Sequence, residues 1–130
     1  MMQTLGIRSS QRVELIDVTH EVTEVVRGSG VAEGFCLVYV PHTTAAVTIN
    51  ENADPSVVRD VIRKLSELVP QDDAYSHSEG NSDAHVKSTL VGCSTVIPVQ
   101  GGRLVLGTWQ AVYFCEFDGP RQRQLVVLIR

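Results

Sequence analysis

The chain has 130 residues and a mass of 14.2 kDa, so we expect one domain over residues 1–130. Its net charge of −4 and pI near 5.5 argue against nucleic acid or an anionic membrane as a partner, because either would require a basic face. The apolar stretches are strand-sized and the first residues lack the pattern of a signal peptide, so we expect a cytoplasmic protein with no membrane partner.

The first third of the chain predicts strands around one short helix. Residues 3–16 predict an irregular strand with alternating side chains. A helix follows, which Asp17 or Thr19 can cap. Two further strands are predicted, a continuous apolar run over 35–40 and an alternating run over 45–50. The buried stripe of the helix consists of three valines: Val22, Val25 and Val26.

The clearest helix pattern lies in the middle of the chain. Asp54 offers an N-cap, Pro55 suits the first helical position, and Pro70 ends the helix. A polar loop over 71–82 follows, and a loop of this length in a small domain is usually functional. A second short helix is predicted over 83–91. The buried face of the first of these helices is apolar: Val58, Val61, Ile62, Leu65, Leu68 and Val69.

The last third of the chain predicts a run of strands. Gly101-Gly102 is typical of a tight hairpin turn, and Asp118-Gly119-Pro120-Arg121 forms a second turn. The order of elements favours an α+β fold, in which two or three helices pack on one side of an antiparallel β-sheet core. The strands are predicted over 95–99, 103–106, 111–117 and 124–129.

Polar residues with chemical capacity occur in three segments at predicted strand ends and helix starts. Because loops from one scaffold can converge, we expect these segments to form one pocket. Each residue also has a simpler role: Asp54 and Asn81 can be helix caps, and Trp109 can be a packing anchor. The first segment contains His42, Glu51, Asn52 and Asp54, the second His77, Asn81, His85 and Lys87, and the third Trp109, Gln110, Glu116 and Arg121.

Two interpretations of the three histidines in these segments remain open. Neutral imidazoles, with Glu51, can hold a divalent metal such as zinc or magnesium, although the spacing matches no standard metal motif. Protonated imidazoles, with Lys87 and Arg121, can instead bind the phosphate of a small metabolite. His20 falls in the first helix, away from these segments, and is interpreted as a surface residue.

The three cysteines are expected to be small buried hydrophobic residues. They are odd in number, widely separated and in no CxxC pair. A catalytic thiol, most plausible at Cys115 beside Glu116, is disfavoured because no electropositive surroundings are evident. The cysteines are Cys36, Cys93 and Cys115.

Three ordered motifs resemble those of the YjbQ-like family over nearly the whole chain. The first motif is His42-Thr43-Thr44-Ala45-Ala46 with Glu51-Asn52-Ala53-Asp54-Pro55. The second runs from Tyr75-Ser76-His77 through Glu79-Gly80-Asn81 to Ala84-His85-Val86-Lys87. The third runs from Gly102-Arg103-Leu104 through Gly107-Thr108-Trp109-Gln110 to Glu116 and Asp118-Gly119-Pro120-Arg121.

The resemblance implies a YjbQ-like α+β fold that assembles as a homotrimer, with the pocket at or near subunit boundaries. It also implies a weak thiamine-phosphate synthase activity, which joins a pyrimidine pyrophosphate to a thiazole phosphate. On this expectation the catalytic residues are His42, His77, His85 and Glu51. Substrate binding is expected of Asn52, Asp54, Asn81, Lys87, Trp109, Gln110, Glu116 and Arg121.

Two alternative functions use the same residues. A metal-dependent hydrolase would hold its metal with His42, His77 and His85, and would lose activity to a chelator. A binding module for a phosphorylated metabolite would be stabilised by the ligand but would form no product.

Overall fold

Eight strands and three helices make up the chain in the computed structural model, which describes residues 1–130. In chain order they are β1 (Met2–Arg8), β2 (Glu14–Asp17), α1 (Thr19–Ser29), β3 (Glu33–Tyr39), β4 (Ala45–Glu51), α2 (Pro55–Leu68), α3 (Ser82–Val91), β5 (Ser94–Gln100), β6 (Arg103–Leu104), β7 (Gln110–Glu116) and β8 (Gln122–Ile129). Every strand pair is antiparallel, so the predicted α+β class is confirmed. None of the helices is both long enough and apolar enough to cross a membrane.

The strands form two sheets rather than one. The larger sheet has the order β1-β8-β3-β5-β6, and the smaller has the order β2-β7-β4. The irregular strand predicted over 3–16 is interrupted after Arg8, and its two parts, β1 and β2, lie in different sheets. The alternating pattern of side chains is the same in both sheets, so it could not indicate this division.

The main core lies between the two sheets and includes α1. Cys36 and Val38 of the larger sheet and Val47 and Phe114 of the smaller sheet belong to one buried cluster. Because successive side chains of a strand point to opposite faces, the alternate residues of β3 point outward. The predicted buried stripe of α1 is confirmed, since its three valines are all in this core.

A second, smaller core covers the outer face of the three-stranded sheet. There Tyr113 and Cys115 of β7 and Ala84 of α3 are buried, with Val58 and Leu65 of α2 packed against them.

Helix α2 begins and ends where the sequence predicts. The Asp54 carboxylate accepts a hydrogen bond from the Ser56 amide at 2.9 Å, and Pro55 is the first helical residue. Its apolar face is only half-buried, however, and Leu68, predicted to be buried, is 67% exposed. That part of the prediction was wrong, since no residue of α2 is fully buried.

Candidate functional site

The pairing of β4 with β7 separates the predicted site residues into two groups. Ala45 is opposite Glu116 at one end of the pair, and Glu51 is opposite Gln110 at the other. Seven paired residues at about 3.3 Å each put roughly 20 Å between these ends. Within one chain, therefore, Glu51 is not close to His42, which precedes the Ala45 end.

His42 and His85 line one open cleft, although they come from separate segments of the chain. The cleft has a volume of about 370 Å³, and we call it the histidine cleft. His42 lies just after β3, while His85 lies on α3, where residues three and four positions apart share a face. The remaining lining residues are Thr43, Ala45, Ser88, Thr89, Gly92 and Cys93.

His77 lies beside the histidine cleft and contacts its wall. The ring centroids of His77 and His85 are 5.5 Å apart with planes at 86°, an edge-to-face arrangement. The Nε2 atom of His77 is also 3.7 Å from a carboxylate oxygen of Glu79, and both side chains are exposed. The loop over 71–82 therefore brings a third imidazole to this end of the molecule, as a neighbour of His85 rather than as a lining residue.

A backbone hydrogen bond fixes the protonation state of His42. The amide of Gln124 donates to Nε2 at 2.9 Å, so this nitrogen must carry a lone pair and the proton of the neutral ring is assigned to Nδ1. Partial burial and the positive charge of Arg123 lower the pKa of His42 below its ordinary value of 6.5. His42 therefore presents a neutral imidazole whose Nδ1–H can donate to a bound molecule.

The lowered pKa of His42 predicts how stability depends on pH. Because the folded-state pKa lies below 6.5, the unfolded chain takes up the proton first on acidification. The stability linked to this lowered pKa is complete above pH 6.5 and is lost as the pH falls through the folded-state pKa. We expect the difference in unfolding free energy between the wild type and His42→Phe to be constant above about pH 7.5 and to shrink below 6.5. Urea unfolding at each pH measures it, and a difference that grows on acidification would contradict the assignment.

A buried ion pair supports the segment that carries His42. The Arg123 guanidinium donates to both carboxylate oxygens of Glu116, at 2.9 and 2.5 Å. The hydroxyl of Ser9 donates to the same carboxylate at 2.6 Å. Arg123 also donates to the hydroxyl of Thr44 at 2.8 Å, two residues after His42. Burial raises the pKa of Glu116, but the hydrogen bonds from Arg123 and Ser9 outweigh it, so the pKa lies below its usual value.

Lys87, expected to bind an anion, does not line the cleft. Its side chain is only 2% exposed, and its ammonium donates to the buried carboxylate of Asp83 at 2.9 Å. Arg12 donates to both oxygens of the same carboxylate, at 2.9 and 3.1 Å. Burial raises the pKa of Asp83, but the bonds from Arg12 and Lys87 lower it further than burial raises it. Lys87 is thus part of an Arg12–Asp83–Lys87 cluster in which Asp83 and Lys87 are buried.

Asn81 and Arg121 meet at Asp118. The Asn81 amide donates to the Asp118 carboxylate at 2.9 Å, and Arg121 donates to the Asp118 carbonyl at 2.8 Å and to its carboxylate at 3.2 Å. Asn81 occupies the N-cap position of α3, as predicted, but its side chain does not cap the helix. Arg121, also expected to bind phosphate, is engaged here, and neither residue lines the histidine cleft.

The remaining predicted residues lie at the far end of the β4–β7 pair or cap α2. Trp109 is 62% exposed, so the interpretation of this side chain as a packing anchor was wrong. Gln110 accepts a hydrogen bond from the Gly107 amide at 2.8 Å, and Asn52 donates to Asp17 at 3.4 Å. Asp54 is the exposed cap of α2. These residues stabilise turns within one chain and do not meet the imidazoles.

The side chains of one chain do not fit the divalent metal considered from the sequence. No group of three or more His, Cys, Asp and Glu side chains is arranged to hold a metal ion. His42 also has its Nε2 engaged by the Gln124 amide, which leaves only Nδ1 for a ligand.

Cys93 is a lining residue that the sequence interpretation missed, and the prediction that it is buried was wrong. Cys36 and Cys115 are buried, and burial raises the pKa of the Cys115 thiol to about 12, which keeps it protonated. Cys93 is instead exposed in the histidine cleft. Its position after Gly92, the C-cap of α3, was the available signal, because residues that follow a helix end are commonly at the surface.

Comparison with known proteins gives matches along the whole chain. The family model described as "UPF0047 protein YjbQ-like" matches residues 3–130. The UPF0047 protein MJ1081 of Methanocaldococcus jannaschii is 52% identical over 129 residues, which cover 99% of this chain and 94% of that protein. The UPF0047 protein YugU of Bacillus subtilis is 51% identical, over 95% of this chain and 94% of that protein.

Solved structures are also similar to this chain over nearly its whole length. The crystal structure of an uncharacterised conserved YjbQ/UPF0047-family protein from Clostridium acetobutylicum superposes with a TM-score of 0.97 at 47% identity, over 98% of this chain and 99% of that one. The conserved hypothetical protein TT1486 from Thermus thermophilus superposes with a TM-score of 0.91 at 37% identity, over 98% and 99% of the two chains.

Proposed function

The chain belongs to the YjbQ-like UPF0047 family, and from that premise we propose that it is a transferase acting on a small phosphorylated metabolite in the histidine cleft. One observation carries the proposal: two imidazoles from distant segments, His42 and His85, line the same cleft. Imidazole is the side chain best suited to proton transfer near neutral pH, and the neutral state of His42 leaves it able to donate a hydrogen bond.

The specific reaction we propose is the thiamine-phosphate synthase reaction that the family resemblance implies. The thiazole nitrogen attacks the methylene carbon of the pyrimidine pyrophosphate, a C–N bond forms, and the C–O bond to pyrophosphate breaks. Pyrophosphate leaves with the electron pair of that bond. A proton from the imidazolium of His85 and a hydrogen bond from His42 Nδ1 stabilise the negative charge of the leaving group.

The cleft of one chain lacks a free cation for the leaving group. No lysine or arginine lines it, because Lys87 is held by Asp83 and Arg121 by Asp118. Arg123 lies in the groove on the other side of His42, but it is paired with Glu116. We therefore propose that a second copy of the chain completes the site, within the homotrimer that the resemblance implies.

The outer face of the five-stranded sheet supports this assembly. Met2 of β1, Leu128 of β8, Leu37 of β3 and Val96 of β5 are paired in one continuous apolar row across four strands. Met2 and Val96 are exposed and the two leucines are half-buried, and apolar surface of this kind is typical of protein interfaces. The same face includes Tyr39, which also lines the groove beside His42. A subunit packed on this face would thus lie next to the proposed site.

We expect light scattering of the wild-type protein to give three times the chain mass of 14.2 kDa. Val96→Glu should convert most of the protein to monomer at micromolar concentration, because the carboxylate would be buried without a partner in the interface. Leu68→Glu, on the exposed end of α2, is the matched control and should leave the mass unchanged. A monomeric wild type at the same concentration would refute the assembly.

Incubation of the purified protein with the pyrimidine pyrophosphate and the thiazole phosphate tests the function. Mass spectrometry should detect thiamine phosphate and an equal amount of pyrophosphate, and added pyrophosphate should inhibit by competition. Stabilisation by the substrates without any product would favour the binding module. Release of phosphate from one substrate alone would favour the hydrolase.

A further inference from the structure

A second cavity, of about 150 Å³, lies between α2 and the outer face of the three-stranded sheet. Eight of its eleven lining residues are apolar, and it shares no lining residue with the histidine cleft. Leu15 and Cys115 line it from the sheet, and Val58, Val61 and Leu65 line it from the helix.

The cavity exists because the facing side chains are too short to meet. Three valines of α2 line the cavity from the helix, Thr48 and Cys115 line it from the sheet, and none of these side chains is large. Although α2 has a continuous apolar face, none of its residues is fully buried. The space is partly open to solvent, and a small apolar molecule in it would give its apolar walls the contacts that they lack.

The polar groups of the cavity are few and lie on the side of β4. The Tyr113 hydroxyl is engaged, since it donates to the Glu51 carbonyl at 3.0 Å. The side-chain carbonyl oxygen of Asn50 accepts a hydrogen bond from the Glu51 amide at 2.7 Å. The side-chain NH₂ group of Asn50 is therefore the group that can donate to a ligand. Glu51 is the only lining residue that carries a charge at neutral pH, and its negative charge disfavours phosphates and carboxylates.

We infer that this cavity binds a small, uncharged, mainly apolar molecule, about the size of one six-membered ring, whose single polar group accepts a hydrogen bond from Asn50. Apolar cavities of about this volume bind benzene or xenon, which sets the size of the ligand. Because no residue of α2 is fully buried, a small outward movement of the helix would admit such a molecule. This ligand class differs from the phosphorylated metabolite of the histidine cleft, so the two sites are independent.

Titration of the isotope-labelled full chain with benzene, followed by NMR of amide and methyl groups, tests the inference. Benzene should saturably shift the signals of Val58, Val61 and Cys115, raise the melting temperature, and leave His42 and His85 unshifted. Phenol, which carries one polar group, should bind at least threefold more tightly than benzene, and Asn50→Ala should remove that difference.

Two variants fill the cavity and one matched control does not. Val61→Phe and Cys115→Leu should each abolish the benzene shifts, and circular dichroism shows whether either variant is folded. Leu68→Phe places the same new side chain on the exposed end of α2 and should bind benzene like the wild type. Absence of any saturable shift in the wild type, or equal shifts in a folded cavity-filled variant, would overturn the inference.

Discussion

Replacement of Glu116 with alanine is expected to lower the free energy of unfolding by about 3–5 kcal/mol, because it leaves a buried charge without its partner. The Glu116 side chain is fully buried, and Arg123 loses both hydrogen bonds to the carboxylate. Ser9 loses its acceptor as well. Urea unfolding followed by circular dichroism measures the change.

A control variant and a double variant distinguish the loss of the buried ion pair from the general effect of shortening a side chain. Arg121→Ala removes an ion pair whose arginine side chain is about half exposed, and should cost less than about 1 kcal/mol. Replacing both members of the buried pair, with Glu116→Gln and Arg123→Met, should be less destabilising than Glu116→Ala alone, since no unpaired charge then remains. A loss at Glu116→Ala no larger than that at Arg121→Ala would show that the pair does not hold this region together.

Replacement of His85 with asparagine is expected to reduce product formation by about 10²–10⁴-fold, the usual contribution of a positioned acid or base. Asparagine retains hydrogen-bonding groups of similar size but cannot transfer a proton near neutral pH. His85 and His42 both line the cleft, so the substitution removes one of its two imidazoles. Steady-state rates at saturating substrate measure the effect.

His20→Asn is the matched control for this experiment. His20 lies on α1 in a different surface depression from the histidine cleft, and its replacement should leave the rate unchanged. His77→Asn removes only the ring that contacts His85 edge-on, so its effect should be smaller than that of His85→Asn. Equal rates for the wild type and His85→Asn would exclude proton transfer by His85.

Local features of the fold could be predicted from the sequence because each depends on neighbouring residues. The cap at Asp54, the start at Pro55 and the end before Pro70 bound α2 correctly, and the Gly101-Gly102 turn joins β5 to β6. The division of the strands between two sheets depends on pairing between distant segments, such as β1 with β8. Side-chain alternation carries no information on that choice.

The site could be predicted only in part, for the same reason. The convergence of His42 and His85 followed from their positions at a strand end and at a helix start. The burial of Lys87 could not be predicted, because a lysine four residues after an aspartate normally indicates an ion pair on the solvated face of a helix. Here Arg12, which is distant in sequence, binds the same carboxylate, and the Asp83–Lys87 pair is buried. Likewise, only the β4–β7 register shows that Glu51 lies far from the imidazoles.

Imidazole NMR spectra during a titration with pyrophosphate test most directly whether His42 and His85 belong to one binding site. We expect the ring signals of both histidines to shift with the same midpoint concentration, while those of His20 stay in place. A shift of only one of the two rings, different midpoints, or no shift in either at saturating pyrophosphate would contradict the assignment of the cleft as the site.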